Sequence, residues 1–105
     1  MKTPISREEV FKLVKKIPRG MVTTYGELAK AVGKPKAARA IGAILRANTR
    51  PIEIPCHRVV CSDGRVGGYS LGVDLKIRLL EQEGIRIKNG KIVNLKKHLY
   101  KFSNT

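Results

Sequence analysis

Four consecutive residues, Pro55-Cys56-His57-Arg58, hold the side chains best suited to chemistry. A thiolate is the reactive form of cysteine, and a free thiol is mostly protonated at neutral pH. A neighbouring imidazole, directly or through one water, can take that proton. Arg58 is expected to add positive charge that favours the thiolate. Neighbouring side chains of an extended segment point apart, so Cys56 and His57 need a turn or a bridging water. Read as a bare dipeptide, Cys-His more commonly marks a buried structural cysteine. Cys61 lies five residues on, with no CxxC pair and only two histidines in the chain. That set does not suit zinc. A disulfide would close a very short loop, so both cysteines are expected as reduced thiols in a cytosolic setting. Cys61 is read as a core or near-surface thiol without chemistry, and His98 as exposed and without a role.

The elements around this segment follow from caps and periodicity. Ser6-Arg7-Glu8-Glu9 reads as a capping box, with Val10, Phe11, Val14 and Ile17 at helical spacing and Pro18 and Gly20 as the stop. Thr24-Tyr25-Gly26-Glu27 is a second capping box, followed by Leu28, Ala29 and Val32, with Gly33 as C-terminal cap. Pro35 suits the first position of a third helix running to about Ala47, with Ala38, Ile41 and Leu45 inward. The tight Gly33-Lys34 turn makes these two a helix-turn-helix. Asn48-Thr49-Arg50-Pro51 breaks the pattern. IEIPCHRVV is too short and too β-branched for a long helix, Ser62-Asp63-Gly64 is a turn, and residues 67–72 are a glycine-rich loop. A fourth helix is expected over 73–83, with Val73, Ile77 and Leu80 inward and Gly84 as its stop. Asn89-Gly90 marks a hairpin between Ile85/Ile87 and Ile92/Val93. In the tail, Leu95, Leu99 and Phe102 share one helical stripe. The predicted fold is mainly α with small β elements: a winged-helix-like helix-turn-helix domain with a short C-terminal β-hairpin and a basic terminal helix.

The 105 residues allow one small domain, and 42% hydrophobic residues suffice for a core. Twenty-two Lys and Arg against eight Asp and Glu give a net charge of +14. Such an excess favours a polyanion: nucleic acid first, an anionic membrane surface second. No apolar run approaches a membrane span and no signal-peptide pattern opens the chain. The 5% aromatics and absence of Trp argue against a base-stacking platform. Between Leu28 and Ile52 lie Lys30, Lys34, Lys36, Arg39, Arg46 and Arg50 with no acid among them. The strongest positive field therefore falls on the helix-turn-helix, and binding is expected to weaken steeply with salt.

A helix that reads the major groove presents long polar side chains to base edges. The third helix is KAARAIGAILRAN, where Ala37, Ala38, Ala40, Gly42, Ala43 and Ala47 are small. Small residues let the backbone approach closely and supply no base-edge donors. Two readings fit: close, sequence-independent docking, including in the minor groove, or tight packing on neighbouring helices. Gly42 costs about 1 kcal/mol against Ala, which asks for a packing or docking reason. Other residues also keep two readings at this point. Arg39 suits a phosphate contact, Tyr25 a helix-capping aromatic, Glu83 a solvated helix-end acid, and Asn48 a C-terminal cap.

Four motifs together resemble one family. IPCHRVV, from Ile54 to Val60, is similar to the Pro-Cys-His-Arg-Val signature of O6-alkylguanine-DNA alkyltransferases. GGYSLG at residues 67–72 resembles their substrate loop, KAARAIGAILRAN their recognition helix with its following Asn, and GMVTTYGELA the opening of their helix-turn-helix. Order and spacing agree over roughly residues 6–87. The resemblance implies direct-reversal DNA repair: duplex DNA is bound, O6-alkylguanine is flipped out, and the alkyl group passes irreversibly to Cys56, once per molecule, with no cofactor and no metal.

The same resemblance implies the roles. Cys56 is the acceptor, His57 the water-mediated base and Glu83 the carboxylate that orients it. Asn48 links the recognition helix to the active-site turn. Tyr69, Ser70, Gly68 and Val59 receive the guanine, and Tyr69 gives it a proton as the alkyl group leaves. Arg39 fills the gap in the base stack and Tyr25 pushes the target phosphate. Thr24, Lys36, Ala38, Ala40, Gly42 and Arg46 complete the DNA face. Most relatives carry a further N-terminal domain, which the resemblance leaves without a counterpart here. The expectation is a single domain over 1–105, a monomer, in which residues 85–105 or a separate or fused partner compensate. The expected location is the cytoplasm, on the chromosome when bound, or the nucleus of a eukaryote. Two other readings are a lesion-flagging alkyltransferase-like protein, a class that typically replaces the acceptor Cys kept here, and a general DNA-binding helix-turn-helix protein.

Overall fold

The computed structural model describes residues 5–50 and 52–102. Helix α1 spans Arg7–Val14, capped by the Ser6 hydroxyl accepting from the Glu9 amide at 3.2 Å. Strand β1 is Thr23–Thr24. Helix α2, Tyr25–Ala31, starts directly from it, because the Thr24 hydroxyl accepts from the Glu27 amide at 3.0 Å. Both N-caps therefore form where the sequence implies, each by its hydroxyl half. Gly33 takes the left-handed conformation (φ 79°) that ends α2.

Helix α3 spans Ala38–Arg46. It starts three residues later than Pro35 suggested: Pro35 and Lys36 form a turn, so the α2–α3 connection covers residues 32–37. Ile41, Gly42 and Leu45 are buried, Ala38 is half-buried, and Ala40 is exposed. Past α3 the chain leaves the helical pattern as expected, although Pro51 lies outside the described residues.

Cys56–Arg58 is a single 3-10 turn, closed by the Arg58 amide on the Pro55 carbonyl at 2.9 Å. It runs straight into strand β2, Val59–Val60, which pairs in parallel with β1, Thr23 opposite Val59 and Thr24 opposite Val60. This pairing organises the site. It sets the first residue of α2, Tyr25, beside the chain emerging from the Cys-His-Arg turn.

Helix α4 spans Val73–Gln82, with Glu83 as its cap residue. Strands β3, Ile87–Lys88, and β4, Lys91–Ile92, form the predicted hairpin. Its turn residues Asn89 and Gly90 both have positive φ, 54° and 75°, as a tight primed turn requires. Helix α5 is only Leu95–His98. The tail then turns extended: the Val22 amide donates to the His98 carbonyl at 2.9 Å, and the Tyr100 amide to the Val22 carbonyl at 2.7 Å. The terminal helix with a Leu95-Leu99-Phe102 stripe does not form, because residues 98–100 satisfy the open edge of β1 instead.

Two apolar clusters result. Val10, Val14, Ile17, Leu28, Ile41, Leu45, Ile54 and Val59 fill the space under α1–α3. Val22, Val60, Val66, Leu80, Ile85 and Ile92 fill the space under α4 and the hairpin. Adjacent Val59 and Val60 enter different clusters, as alternation along a strand dictates. The Cys-His-Arg turn leads into the strand that divides them.

Candidate active site and DNA-facing groove

Cys56 is buried, and its Sγ lies 2.9 Å from the Asn48 Nδ2, which donates to it. The same amide donates to the Ile54 carbonyl at 3.2 Å, while Asn48 Oδ1 accepts from the Arg50 amide at 2.8 Å. Asn48 does not cap α3. Its whole side chain is used to fix residues 50–56. Burial pushes the Cys56 thiol above its ordinary 9.0, opposed in part by the Asn48 bond and by the charge of Lys76.

The 3-10 turn answers the problem of adjacent side chains. His57 is buried, and its Nε2 lies 2.9 Å from Glu83 Oε2. A carboxylate only accepts, so Nε2 carries the hydrogen and Nδ1 keeps its lone pair. Burial holds the imidazole below its ordinary 6.5, against the pull of Glu83, so it is neutral at neutral pH. Nδ1 is buried with no hydrogen-bond partner among the described residues, and the same is true of the Tyr69 hydroxyl. His57 and Tyr69 meet edge to face, ring centres 6.4 Å apart. Burial raises the Tyr69 phenol above 10.0, so it holds its proton.

Glu83 is half-buried and far from a solvated helix-end acid. Arg58 grips both its oxygens, Nε to Oε1 at 2.9 Å and Nη2 to Oε2 at 2.8 Å, and Nη1 donates to the Ile17 carbonyl at 2.8 Å. Despite the burial that opposes it, the bonds from Arg58 and His57 hold the Glu83 carboxyl below 4.5. Arg58 thus spends its charge on Glu83, contrary to the expected role beside the thiol. The cation whose charge lowers the Cys56 pKa is Lys76, which the sequence reading had passed over.

Tyr25, Gly42, Leu45, Arg46, Cys56, Gly68, Tyr69 and Ser70 line a cleft over the sulfur with about 10 Å³ of space, enough for one water-sized group. It continues into a groove of about 340 Å³ whose walls include Ala38, Arg39, Gly42, Arg46 and Cys61. Gly42 lines both spaces. Gly67 has φ 77°, and a Cβ there would stand 3.2 Å from the Tyr25 hydroxyl and 3.3 Å from the Cys61 sulfur, so any other residue would be strained and crowded. Burial raises the Tyr25 phenol to about 12. Arg39, Ala40 and Arg46 are exposed on α3, Lys36 is exposed in the turn before it, and Thr24 is buried as the cap of α2.

The structure thus brings Cys56, His57, Asn48, Glu83, Tyr69, Ser70, Gly68, Tyr25, Gly42 and Arg46 to one site. Val59 departs from the reading: its side chain is fully buried in the core and lines neither space, and only its carbonyl serves, as an acceptor for Lys76. His98 is half-buried, with Nδ1 3.1 Å from the Gly20 carbonyl, rather than exposed. Val73 is 41% exposed, and Lys76 occupies the inward position in its stead. A lysine between the apolar residues of that stripe is the one signal the sequence offers, and lysine is normally solvated.

A thiol, an imidazole oriented by a carboxylate and a basic helix-turn-helix stand together in one small domain. Residues 6–85 match the family described as 6-O-methylguanine DNA methyltransferase, DNA binding domain. The chain belongs to that family. It is 54% identical over 95 residues to a bifunctional methyltransferase/endonuclease of Picrophilus torridus, covering 90% of this chain and 31% of that protein. It is 51% identical over 82 residues to the human methylated-DNA–protein-cysteine methyltransferase, covering 78% of this chain and 40% of that protein. The chain thus spans well under half the length of these curated relatives. Among solved structures, S. pombe Atl1 in complex with damaged DNA containing O6-carboxymethylguanine superposes with a TM-score of 0.81 at 34% identity, covering 90% of this chain and 94% of that one. Mycobacterium tuberculosis OGT in complex with DNA superposes at 0.74 and 38% identity, covering 79% and 51%. The fold is that of this DNA-binding domain, mainly α with short strands, as the sequence reading had it.

Proposed function

We propose that the chain repairs alkylated DNA by moving the alkyl group of O6-alkylguanine onto Cys56, once per molecule. One observation carries this reading: the His57–Glu83 bond leaves a buried, unpartnered Nδ1 lone pair on the residue next to a buried thiol. Cys56 gives its proton to His57, directly or through one water, and the thiolate attacks the alkyl carbon. The carbon–O6 bond breaks, a thioether forms, and the electron pair leaves on guanine, which takes a proton from Tyr69. No bond of the thioether is labile to water, so turnover stops at one. The resting cleft is too small for a base, so Gly68, Tyr69 and Ser70 shift as guanine enters.

Chemistry on O6 requires the base outside the stack, at a cost of a few kcal/mol. Arg39 at the groove wall offsets part of that cost by occupying the gap, and Tyr25 presses on the flank of the target nucleotide. Ala40, Lys36 and Arg46 face the duplex, where small residues allow close approach and the cations neutralise phosphates. The chain does this as a single domain, with no cofactor. The bifunctional relative supports a fused or separate partner in the place of a further domain. Kinship with Atl1 supports a second reading, binding of the lesion without transfer, and the retained Cys56 favours the first.

The test is a titration of duplex carrying O6-methylguanine. Wild type should restore one guanine per protein molecule and stop, while Cys56→Ala should bind the same duplex and restore none. Lesion binding by wild type with every lesion left intact would establish the second reading instead.

A further inference from the structure

Lys76 is fully buried, the largest side chain among the described residues to be so. Lysine is almost never fully buried without a charged partner. None of the ion pairs among the described residues includes it. Its ammonium donates to two neutral acceptors, the Val59 carbonyl at 2.7 Å and the Gly68 carbonyl at 3.0 Å. It also lies 5.8 Å from the centre of the Tyr25 ring. These three contacts belong to the three parts of the site: the strand leaving the Cys-His-Arg turn, the loop over the sulfur, and the first residue of α2. A leucine or methionine would fill the same space without a desolvated charge, so the position calls for a charge.

We propose that Lys76 is a positioning residue for alkyl transfer: it ties the Gly68 loop to β2 above the sulfur, and its ammonium is the counter-charge of the Cys56 thiolate. This rests on Cys56 being the acceptor. The surrounding groups leave Lys76 alone in that part. Arg58 and Glu83 neutralise each other, His57 is neutral, and Tyr25 and Tyr69 hold their protons. Two thiols lie within its field, Cys61 acting on the ammonium more strongly and Cys56 next. Burial lowers the Lys76 ammonium to about 8, so it is still mostly charged at neutral pH, and an anionic sulfur would favour that charge. On transfer the thioether is neutral and the negative charge moves off the sulfur, so the counter-charge serves the reactant and not the product.

The readout is the rate of Cys56 carboxamidomethylation by iodoacetamide against pH, followed on its own peptide so that Cys61 is counted separately. It needs no alkylguanine. In Lys76→Met the midpoint should rise by about one pH unit and the rate at pH 7 should fall about tenfold. Lys76→Gln keeps donors to both carbonyls without the charge and should shift alike, while Lys76→Arg should return towards wild type. A folded Met or Gln variant with the wild-type midpoint would reduce Lys76 to a packing element and overturn the proposal. A second check uses Cys61→Ser, so that iodoacetamide blocks Cys56 alone: by reciprocity, the block should lower the Lys76 midpoint seen by NMR. An unmoved midpoint there also overturns it. A shifted thiol midpoint without repair of O6-methylguanine would sink the transfer reading alone; repair with an unshifted midpoint would sink the role of Lys76 alone.

Discussion

Replacing Glu83 by Gln keeps the shape and removes one charge at the point where three hydrogen bonds converge. His57 Nε2, Arg58 Nε and Arg58 Nη2 all donate to its two oxygens, at 2.8 to 2.9 Å. A glutamine offers one oxygen and one NH2 group. If the NH2 faces His57, it must donate to Nε2, which moves the imidazole hydrogen to Nδ1 and abolishes the free lone pair. If it faces Arg58, two donors confront each other and a guanidinium that is 16% exposed loses its counter-ion. Charge-assisted bonds contribute about 1.5–3 kcal/mol each, and breaking a buried pair costs about 3–5 kcal/mol. Since Gln retains one acceptor, a loss of about 2–3 kcal/mol is expected, a fall in Tm of roughly 10–20 °C for a domain of this size. Below that Tm, loss of an oriented base should slow transfer by about 10²–10⁴. The assays are thermal unfolding and single-turnover transfer from O6-methylguanine duplex, with affinity for the duplex unchanged. Transfer within threefold of wild type in the folded variant would refute the assignment of His57 as a base oriented by Glu83.

Other outcomes follow from the same geometry. Gly42→Ala should raise stability by about 0.5–1 kcal/mol by helix propensity, since the new Cβ meets only the mobile tip of Arg46, at 3.4 Å, and Tyr25, at 3.9 Å. The same methyl narrows the groove, so thermal unfolding should improve while duplex affinity falls. Asn48→Ala removes the donor to the sulfur and leaves the buried Ile54 carbonyl without it, so stability should drop by about 1–3 kcal/mol. Its Cys56 should react more slowly with iodoacetamide at pH 7. Stability should also fall in acid. His57 has a depressed folded pKa, so the unfolded chain binds more protons; its contribution is complete above 6.5 and lost as pH falls through the folded value, and Glu83 adds to the loss below 4.5. Urea unfolding at pH 7.5, 5.5 and 4 reads this, and His57→Phe should flatten the upper part of the curve.

The parts of the fold written in local rules were legible from the sequence. Two N-caps, the Gly33 stop and the Asn89-Gly90 turn stand where short-range chemistry puts them. What escaped depends on contacts between distant segments. Leu95, Leu99 and Phe102 satisfy helical spacing, but β1 has an open edge that residues 98–100 fill, and hydrogen-bond satisfaction overrides the period. Pro35 is well suited to open a helix, yet α3 starts only at Ala38. The active segment was legible because four motifs, in order and spacing, together resemble one family; Cys-His alone did not decide it. The partner of Arg58 was misread because a neighbour in sequence, Cys56, was preferred to Glu83, which is 25 residues away. Lys76 was not legible because nothing local in the sequence marks a lysine whose burial depends on carbonyls of two distant segments.

The central claim is that Cys56 is the covalent acceptor. The most direct measurement is the mass of the peptide containing Cys56 after exposure to duplex carrying O6-methylguanine. The account predicts a gain of one methyl group on that peptide, one per chain, with the Cys61 side chain unchanged and the guanine restored. An unmodified Cys56 beside an intact lesion, under conditions where the duplex is bound, would contradict it.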